Sequence, residues 1–276
     1  MRKADLHLHT HASSDASFEP EEVFSIAKAR GLTALTFSDH DNTDSTAEGQ
    51  RLAPIYDVAF LPGIEITSSW RGEEAHVLGF FLNGPRPSLA DFLVDKIWSV
   101  RRQYNLAVLE YVQRRHGTGV NISEHDAEVV GEERSESTAL YRLLLKKGVV
   151  SNMRTFIALR EESGVLLHKP PVPEAIQACH EAGGIAVVAH PGHDTGAVFT
   201  FDEDNIAALA AAGLNGVEVS HPAHTEAQEA EYAQIADRLG LLKTGGSDMH
   251  VPRPEPQKLV GGTYCDWDEV LQYLQR

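Results

Sequence analysis

The sequence predicts an α/β fold, a barrel of parallel βα units whose strand ends converge on one rim, interrupted by a helical insertion. Three observations carry that expectation. Short apolar stretches alternate with amphipathic helical patterns in both the first and last thirds of the chain. The alternation stops between Gly84 and Pro170. Histidines and carboxylates fall where the expected strands stop. Strands separated by helices of ~10 to 15 residues pair in parallel, and in a closed parallel barrel the C-terminal strand ends share one face.

In order along the chain, Lys3-Ala-Asp-Leu-His-Leu alternates as a strand does, Phe18-Glu-Pro-Glu-Glu opens a helix to Arg30, and Gly31 stops it. A second strand is expected over 32–37. A polar stretch follows over 42–50, then strands over 58–61 and 76–82, with Phe60-Leu-Pro-Gly-Ile-Glu65 read as a buried strand ending at Glu65. From Gly84-Pro-Arg-Pro the pattern turns helical: a long helix over 89–115 and further helices to about Ser163 make an inserted domain, 85–164, between barrel segments 1–84 and 165–276. After Pro170-Pro-Val-Pro the alternation resumes, with a helix to Ala182, a strand over 185–189, a helix over 204–212, a strand over 216–219, a helix to Leu239 and a strand over 241–244.

The chain has 276 residues, long enough for one large domain or a domain carrying an insertion. Its 40 acidic against 24 basic side chains give a net charge of −16. That balance excludes a broad basic face for long nucleic acid and a polybasic membrane surface. The N-terminal residues do not read as a signal peptide, and no run reaches the ~18 apolar residues of a membrane span. The 2 cysteines, Cys179 and Cys265, supply neither a disulfide framework nor a thiolate metal site, so a reducing, cytoplasmic setting is expected. Any metal must be held by imidazole and carboxylate.

The chain's 14 histidines supply the means. His7 and His9, two apart on an extended chain, point to one side and reach one ion while Leu8 faces the core. Asp248-Met-His250 repeats that spacing. Glu65 is the candidate carboxylate shared between ions ~3.5 to 4 Å apart. Asp39-His40-Asp41 follows the second strand, one of the two aspartates being expected to orient a ligand rather than bind. His190, Glu218 and His221 also fall at strand ends. Imidazole and carboxylate without thiolate suit Mn, Fe or Zn. His116, His125, His168 and His180 lie in helical or loop patterns with no partnering signature and are given no site role.

The ordered set Asp5-Leu-His7-Leu-His9-Thr, Asp15, Asp39-His40-Asp41, Gly63-Ile-Glu65-Ile, His76-Val-Leu-Gly, Ala189-His190-Pro-Gly and Gly246-Ser-Asp248-Met-His250 resembles the PHP (polymerase and histidinol phosphatase) superfamily, over residues 1 to about 83 and 172 to 251. The resemblance implies a distorted (β/α)7 barrel with an inserted helical lid over its mouth and a site for two or three divalent ions. One ion would take His7, His9, Glu65 and Asp248, a second Glu65, His76 and His190, and a third Asp15, His40 and His250. Asp15 stands where some relatives use His. Relatives often grip the substrate phosphate with an Arg and His pair on the insert. Here that stretch is Ser137-Thr-Ala, leaving Arg134, His193, His221 and His224 as candidate substrate contacts, His193 and His221 also as proton donors.

The implied activity is hydrolysis of a small phosphate ester, of nucleotide or nucleoside 3′,5′-bisphosphate type, by metal-activated hydroxide, with Glu65 central to catalysis. Cyclic-phosphate hydrolysis, histidinol-phosphate hydrolysis and 5′-3′ exonuclease action on short oligonucleotide ends use the same site. A metal-binding module without catalysis is the competing reading, and the filled ligand positions disfavour it.

Overall fold

The computed structural model describes residues 1–132, 134, 137–193, 198–251 and 259–276. The chain divides into two compact units, Met1–Ala90 with Pro170–Arg276, and Asp91–Lys169.

The first unit begins with β1 (Lys3–Asp5), α1 (Pro20–Ala29), β2 (Ala34–Leu35), α2 (Thr46–Tyr56), β3 (Ala59–Phe60), β4 (Gly63–Trp70) and β5 (Glu73–Phe80). The second unit's helices, reached through α3 (Pro87–Leu93), are α4 (Ser99–His116), α5 (Glu124–Glu132), α6 (Thr138–Lys146) and α7 (Met153–Ser163). The first unit then resumes with α8 (Val172–Glu181), β6 (Ile185–Val188), α9 (Glu203–Ala211), β7 (Gly216–Ser220), α10 (Glu226–Leu239), β8 (Leu242–Gly245), β9 (Cys265–Asp266) and α11 (Trp267–Leu274).

The strands form two sheets, in the orders β3-β2-β1-β9 and β4-β5-β6-β7-β8. β1, β2 and β3 pair in parallel, as do β6, β7 and β8. The all-parallel expectation fails at β9 against β1, at β4 against β5 and at β5 against β6, which are antiparallel. The cause at β4 and β5 is local. Arg71 and Gly72 both take positive φ, 52° and 91°, and a two-residue turn of that kind returns the chain as a hairpin. Glu65 therefore lies inside an eight-residue strand rather than at a strand end. The polar stretch over 42–50 likewise contains the start of α2.

Among the described residues no continuous ladder closes a barrel. The two sheets meet instead through single parallel bridges, Leu8 with Met249 and His40 with Glu65. Backbone hydrogen bonds reinforce both seams: the His9 N–H donates to Met249 O at 3.0 Å and the Asp248 N–H to His7 O at 2.8 Å. At the other seam the Asp41 N–H donates to Glu65 O at 2.9 Å.

One apolar cluster of this unit packs α1 side chains Val23, Phe24 and Ala27 with Leu8, Phe37 and Met249. Another joins Leu6, Leu78, Phe80, Val187 and Trp267. Each fully buried Leu, Val or Phe contributes roughly 1.5 to 3 kcal/mol. The second unit has its own cluster, with Val108, Val112, Leu140, Leu144 and Phe156 at its centre. Its α7 starts on the Asn152 side chain, which accepts the Thr155 N–H at 3.0 Å, and stops at Gly164 with φ 66°, the usual chemistry of helix ends. No helix among the described residues is long and apolar enough to cross a membrane.

Candidate metal centre

The seams between the sheets explain how distant residues meet. Successive side chains on extended backbone alternate faces. Leu8 and Met249, paired across one seam, both enter the apolar cluster around α1. Their neighbours His7, His9, Asp248 and His250 are thereby turned to the opposite face. His40 and Glu65 face each other across the second seam. His76, on β5, pairs with Thr67 of β4 and so lies diagonal to Glu65 on the same sheet face. His190 follows β6 with φ 28°, and Asp248 follows β8 with φ 50°. Such backbone is costly for a non-glycine residue and concentrates where a side chain must be aimed.

Glu65, almost wholly buried, stands at the centre. Its Oε2 lies 3.4 Å from His7 Nε2, 3.3 Å from His9 Nε2 and 3.0 Å from His40 Nδ1. Its Oε1 lies 3.0 Å from both His76 Nδ1 and His190 Nε2. Asp248 Oδ1 reaches His7 Nε2 at 3.2 Å and His9 Nε2 at 3.3 Å. Nearby, His40 Nε2 and His250 Nε2 face each other at 3.3 Å, and the half-exposed Asp15 lies 3.6 Å from each. Four groups among the described residues have ligand atoms mutually within 4.8 Å: His7, His9, Glu65 and Asp248; Glu65, His76 and His190; His9, His40 and His250; and His7, Glu218 and His221.

These contacts are close enough for ionic attraction, yet His7 Nε2, His9 Nε2, His40 Nδ1 and Glu65 Oε2 are buried without an aligned hydrogen bond. A buried polar atom without a partner costs about 1 to 3 kcal/mol. Several of them converging, all imidazole nitrogen or carboxylate oxygen, is the donor set that divalent transition ions take. The residues present fit such ions.

The outward-facing atoms set which nitrogen points inward. His7 Nδ1 meets Glu218 Oε1 at 3.0 Å, His9 Nδ1 meets the Ser13 hydroxyl at 3.0 Å, and His76 Nε2 meets Glu74 Oε1 at 3.0 Å. In each case the outer nitrogen turns its proton outward, so the inner nitrogen is the one a cation would take once it displaces the second proton. Ser13 in turn donates to Asp39 at 2.9 Å and accepts the His40 N–H at 3.0 Å. Asp39 thus acts on His9 through Ser13, and Asp41 instead holds the Thr67 N–H at 2.7 Å.

Charge follows the same plan. Burial alone would raise Glu65, but His7, His76 and His40 hold it well below the usual carboxylate range. Asp248 is held low against burial by His7 and His221. Burial pushes His9 and His76 down, yet the carboxylates prevail, lifting His9 to about 9 through Asp248 and Glu65 and His76 to about 10 through Glu65 and Glu74. The ionised carboxylates of this rim require positive charge, from protons on imidazole or from cations that displace them.

A pocket of about 280 Å³ is lined by His193, His221, Pro222, Ala223, Ser247, Asp248 and His250. Of the expected substrate contacts, His193 reaches it beside the rings of His190 and His221, with no hydrogen bond to its ring nitrogens among the described residues. Burial and the neighbouring His190 and His221 bring its pKa down to about 4, so it is neutral at pH 7. His221 also lines it, but its ring nitrogens are engaged: Nδ1 accepts the Ala223 N–H at 3.1 Å and Nε2 lies 3.3 Å from Asp248 Oδ2. His224 has both nitrogens engaged, Nδ1 donating to Val219 O at 2.8 Å and Nε2 accepting the Gly192 N–H at 3.1 Å, which leaves neither for a phosphate. Arg134 belongs to the helical unit, its guanidinium 4.3 Å from the Trp98 ring. Sequence reasoning assigned no role to Glu74 or Ser13 and placed Glu218 among the strand-end residues without giving it a task. Only Glu218 carried a signal, an acid in the middle of the apolar run Gly-Val-Glu-Val.

The PHP domain family model matches residues 5–153, and the chain belongs to that family. It is 31% identical to the 3′,5′-nucleoside bisphosphate phosphatase of Chromobacterium violaceum, over 91% of this chain and 88% of that one. It is 29% identical to the phosphoribosyl 1,2-cyclic phosphate 1,2-diphosphodiesterase of Eggerthella lenta, covering 89% and 93%. It is 26% identical to a 5′-3′ exoribonuclease of Haemophilus influenzae, covering 99% and 94%. A solved Chromobacterium violaceum protein, described as an amidohydrolase with bound sulfate, is 30% identical with a TM-score of 0.70, covering 99% of this chain and 95% of that one. The three named relatives are all phosphoric ester hydrolases, the enzyme class the sequence implies.

Proposed function

We propose that this chain hydrolyses a phosphate monoester of mononucleotide size, of the nucleoside 3′,5′-bisphosphate type, with two or three divalent ions, Mn, Fe or Zn. The observation that carries the reading is the division of Glu65, one oxygen toward His7, His9 and His40 and the other toward His76 and His190. It supports one ion on His7, His9, Glu65 and Asp248, a second on Glu65, His76 and His190, and a third on Asp15, His40 and His250. Divalent cations supply Lewis acidity, lowering the pKa of water toward about 7 and offsetting phosphoryl charge.

The chain's own residues do the rest. Alignment of His7 and His9 by Glu218 and Ser13 fixes the direction of their lone pairs. His221 holds Asp248 by its second oxygen and is assigned that positioning task in place of a phosphate contact. Neutral His193 offers the phosphoryl group a hydrogen bond rather than a charge. Arg134, whose charge suits a phosphate, and the helical unit, whose length suits enclosure of a small substrate, are proposed contributors on sequence alone. The free thiols of Cys179 and Cys265 accord with a reducing, cytoplasmic setting.

The test is phosphate release from a panel of a nucleoside 3′,5′-bisphosphate, a 1,2-cyclic sugar phosphate, histidinol phosphate and a short 5′-phosphorylated oligonucleotide. The bisphosphate is expected to give the highest kcat/KM. Preference for the cyclic diester or the oligonucleotide would replace the substrate assignment.

A further inference from the structure

We propose that Glu218 is a positioning residue that aligns two groups of metal ligands at once. The inference rests on the rim being a metal centre and gives an orienting task to Glu218, which groups with His7 and His221 but is taken by none of the three proposed ions. Glu218 is completely buried in β7. Its Oε1 and Oε2 lie 3.0 and 3.2 Å from His7 Nδ1. The same Oε2 accepts the main-chain N–H of His190 at 2.7 Å.

Each contact has a separate consequence. The carboxylate has no proton to give, so His7 must carry a hydrogen on Nδ1, and Nε2, 3.4 Å from Glu65 and 3.2 Å from Asp248, is the nitrogen a cation would take on displacing the other proton. Meanwhile the His190 backbone sits at φ 28°, a region a β-carbon disfavours. The charge-assisted bond from its N–H holds it there, and His190 Nε2 is thereby kept 3.0 Å from Glu65 Oε1. His7 belongs to the Asp248 group and His190 to the His76 group, so one buried carboxylate sets the aim of a ligand in each.

A glutamine separates this role from simple packing. It has the shape of Glu218 but only one acceptor oxygen, so whichever way the amide turns, its NH2 opposes either His7 Nδ1–H or the His190 N–H. If the oxygen keeps His190, His7 is driven to the tautomer whose proton blocks Nε2.

The experiment titrates Mn(II) into chelator-stripped wild type and E218Q, reading free Mn(II) by electron paramagnetic resonance, with thermal unfolding of both stripped proteins in parallel. E218Q is expected to bind Mn(II) about 10- to 100-fold more weakly at a temperature where both proteins are folded. E218A, which removes both contacts, is expected to lose at least as much, and E218Q decides the matter should E218A fail to fold. Wild type that binds no Mn(II) overturns the metal reading and this inference with it. Wild type that binds while folded E218Q binds equally tightly overturns the role of Glu218 alone, even if its unfolding temperature falls.

Discussion

The two units solve opposite problems. The helical unit buries mainly apolar side chains such as Val108, Leu140, Leu144 and Phe156, with Arg101, Asn105 and Ser137 its buried polar groups, and leaves Asp126 and Lys147 partly exposed. The rim of the first unit buries His7, His9, Glu65 and Glu218. Desolvating such groups costs several kcal/mol per ion unless charge and hydrogen bonds offset it. The difference teaches where stability has been given up for chemistry: substitutions in one unit should cost folding, and those in the other should cost metal and turnover.

The largest effect is expected in the rim. Glu65→Gln or Asp248→Asn should lower phosphate release on the order of 10³-fold or more and remove bound metal, as read by elemental analysis. Full activity with an intact metal content would break the comparison on its functional side. Next, Leu144→Ala in the helical unit should cost about 2 to 5 kcal/mol, seen as a lower unfolding temperature, with metal content unchanged below that temperature.

A third expectation uses pH. In the cation-free rim His9 and His76 sit at about 9 and about 10, above the unfolded value near 6.5. Their contribution to stability is therefore full below about pH 6.5 and disappears as pH rises through about 9 to 10. Stripped protein should lose stability across that window while Mn(II) affinity rises across it, because the ion displaces those protons. Thermal unfolding and Mn(II) titration at pH 7 and pH 9 check the opposite signs.

The smallest effect belongs to Asp126. Its hydrogen bond to Lys147 at 2.8 Å, together with the Ser123 N–H, holds its pKa down to about 2. The contribution is present above the unfolded value near 3.9 and lost as pH falls through about 2. Asp126→Asn should cost no more than about 1 kcal/mol at neutral pH, measured by denaturant midpoint.

The spacings of the proposed ligands were legible because they are local. His7-Leu-His9 and Asp248-Met-His250 each put an apolar residue toward the core and two candidate ligands away from it, and alternation on extended backbone is visible in sequence. The helical unit was legible for a similar reason, its apolar residues recurring at helical spacing. The β4 to β5 hairpin was hidden because Thr67-Ser-Ser carries no apolar alternation and Arg71-Gly72 is a weak turn signal. The roles of His221, His224 and Glu218 were hidden for a different reason. Which ring nitrogen is free depends on partners from other strands, His221 on Asp248 and His7 on Glu218, and no spacing encodes that.

The central claim, that Glu65 joins two groups of histidines into one metal centre that hydrolyses phosphate esters, is tested most directly by titrating Mn(II) into stripped wild type and Glu65→Gln while following phosphate release from a nucleoside 3′,5′-bisphosphate. The account predicts that wild type binds at least two ions per chain and releases phosphate only as they bind, and that Glu65→Gln does neither. Phosphate release from stripped wild type, or an undiminished ion count and rate in Glu65→Gln, would contradict it.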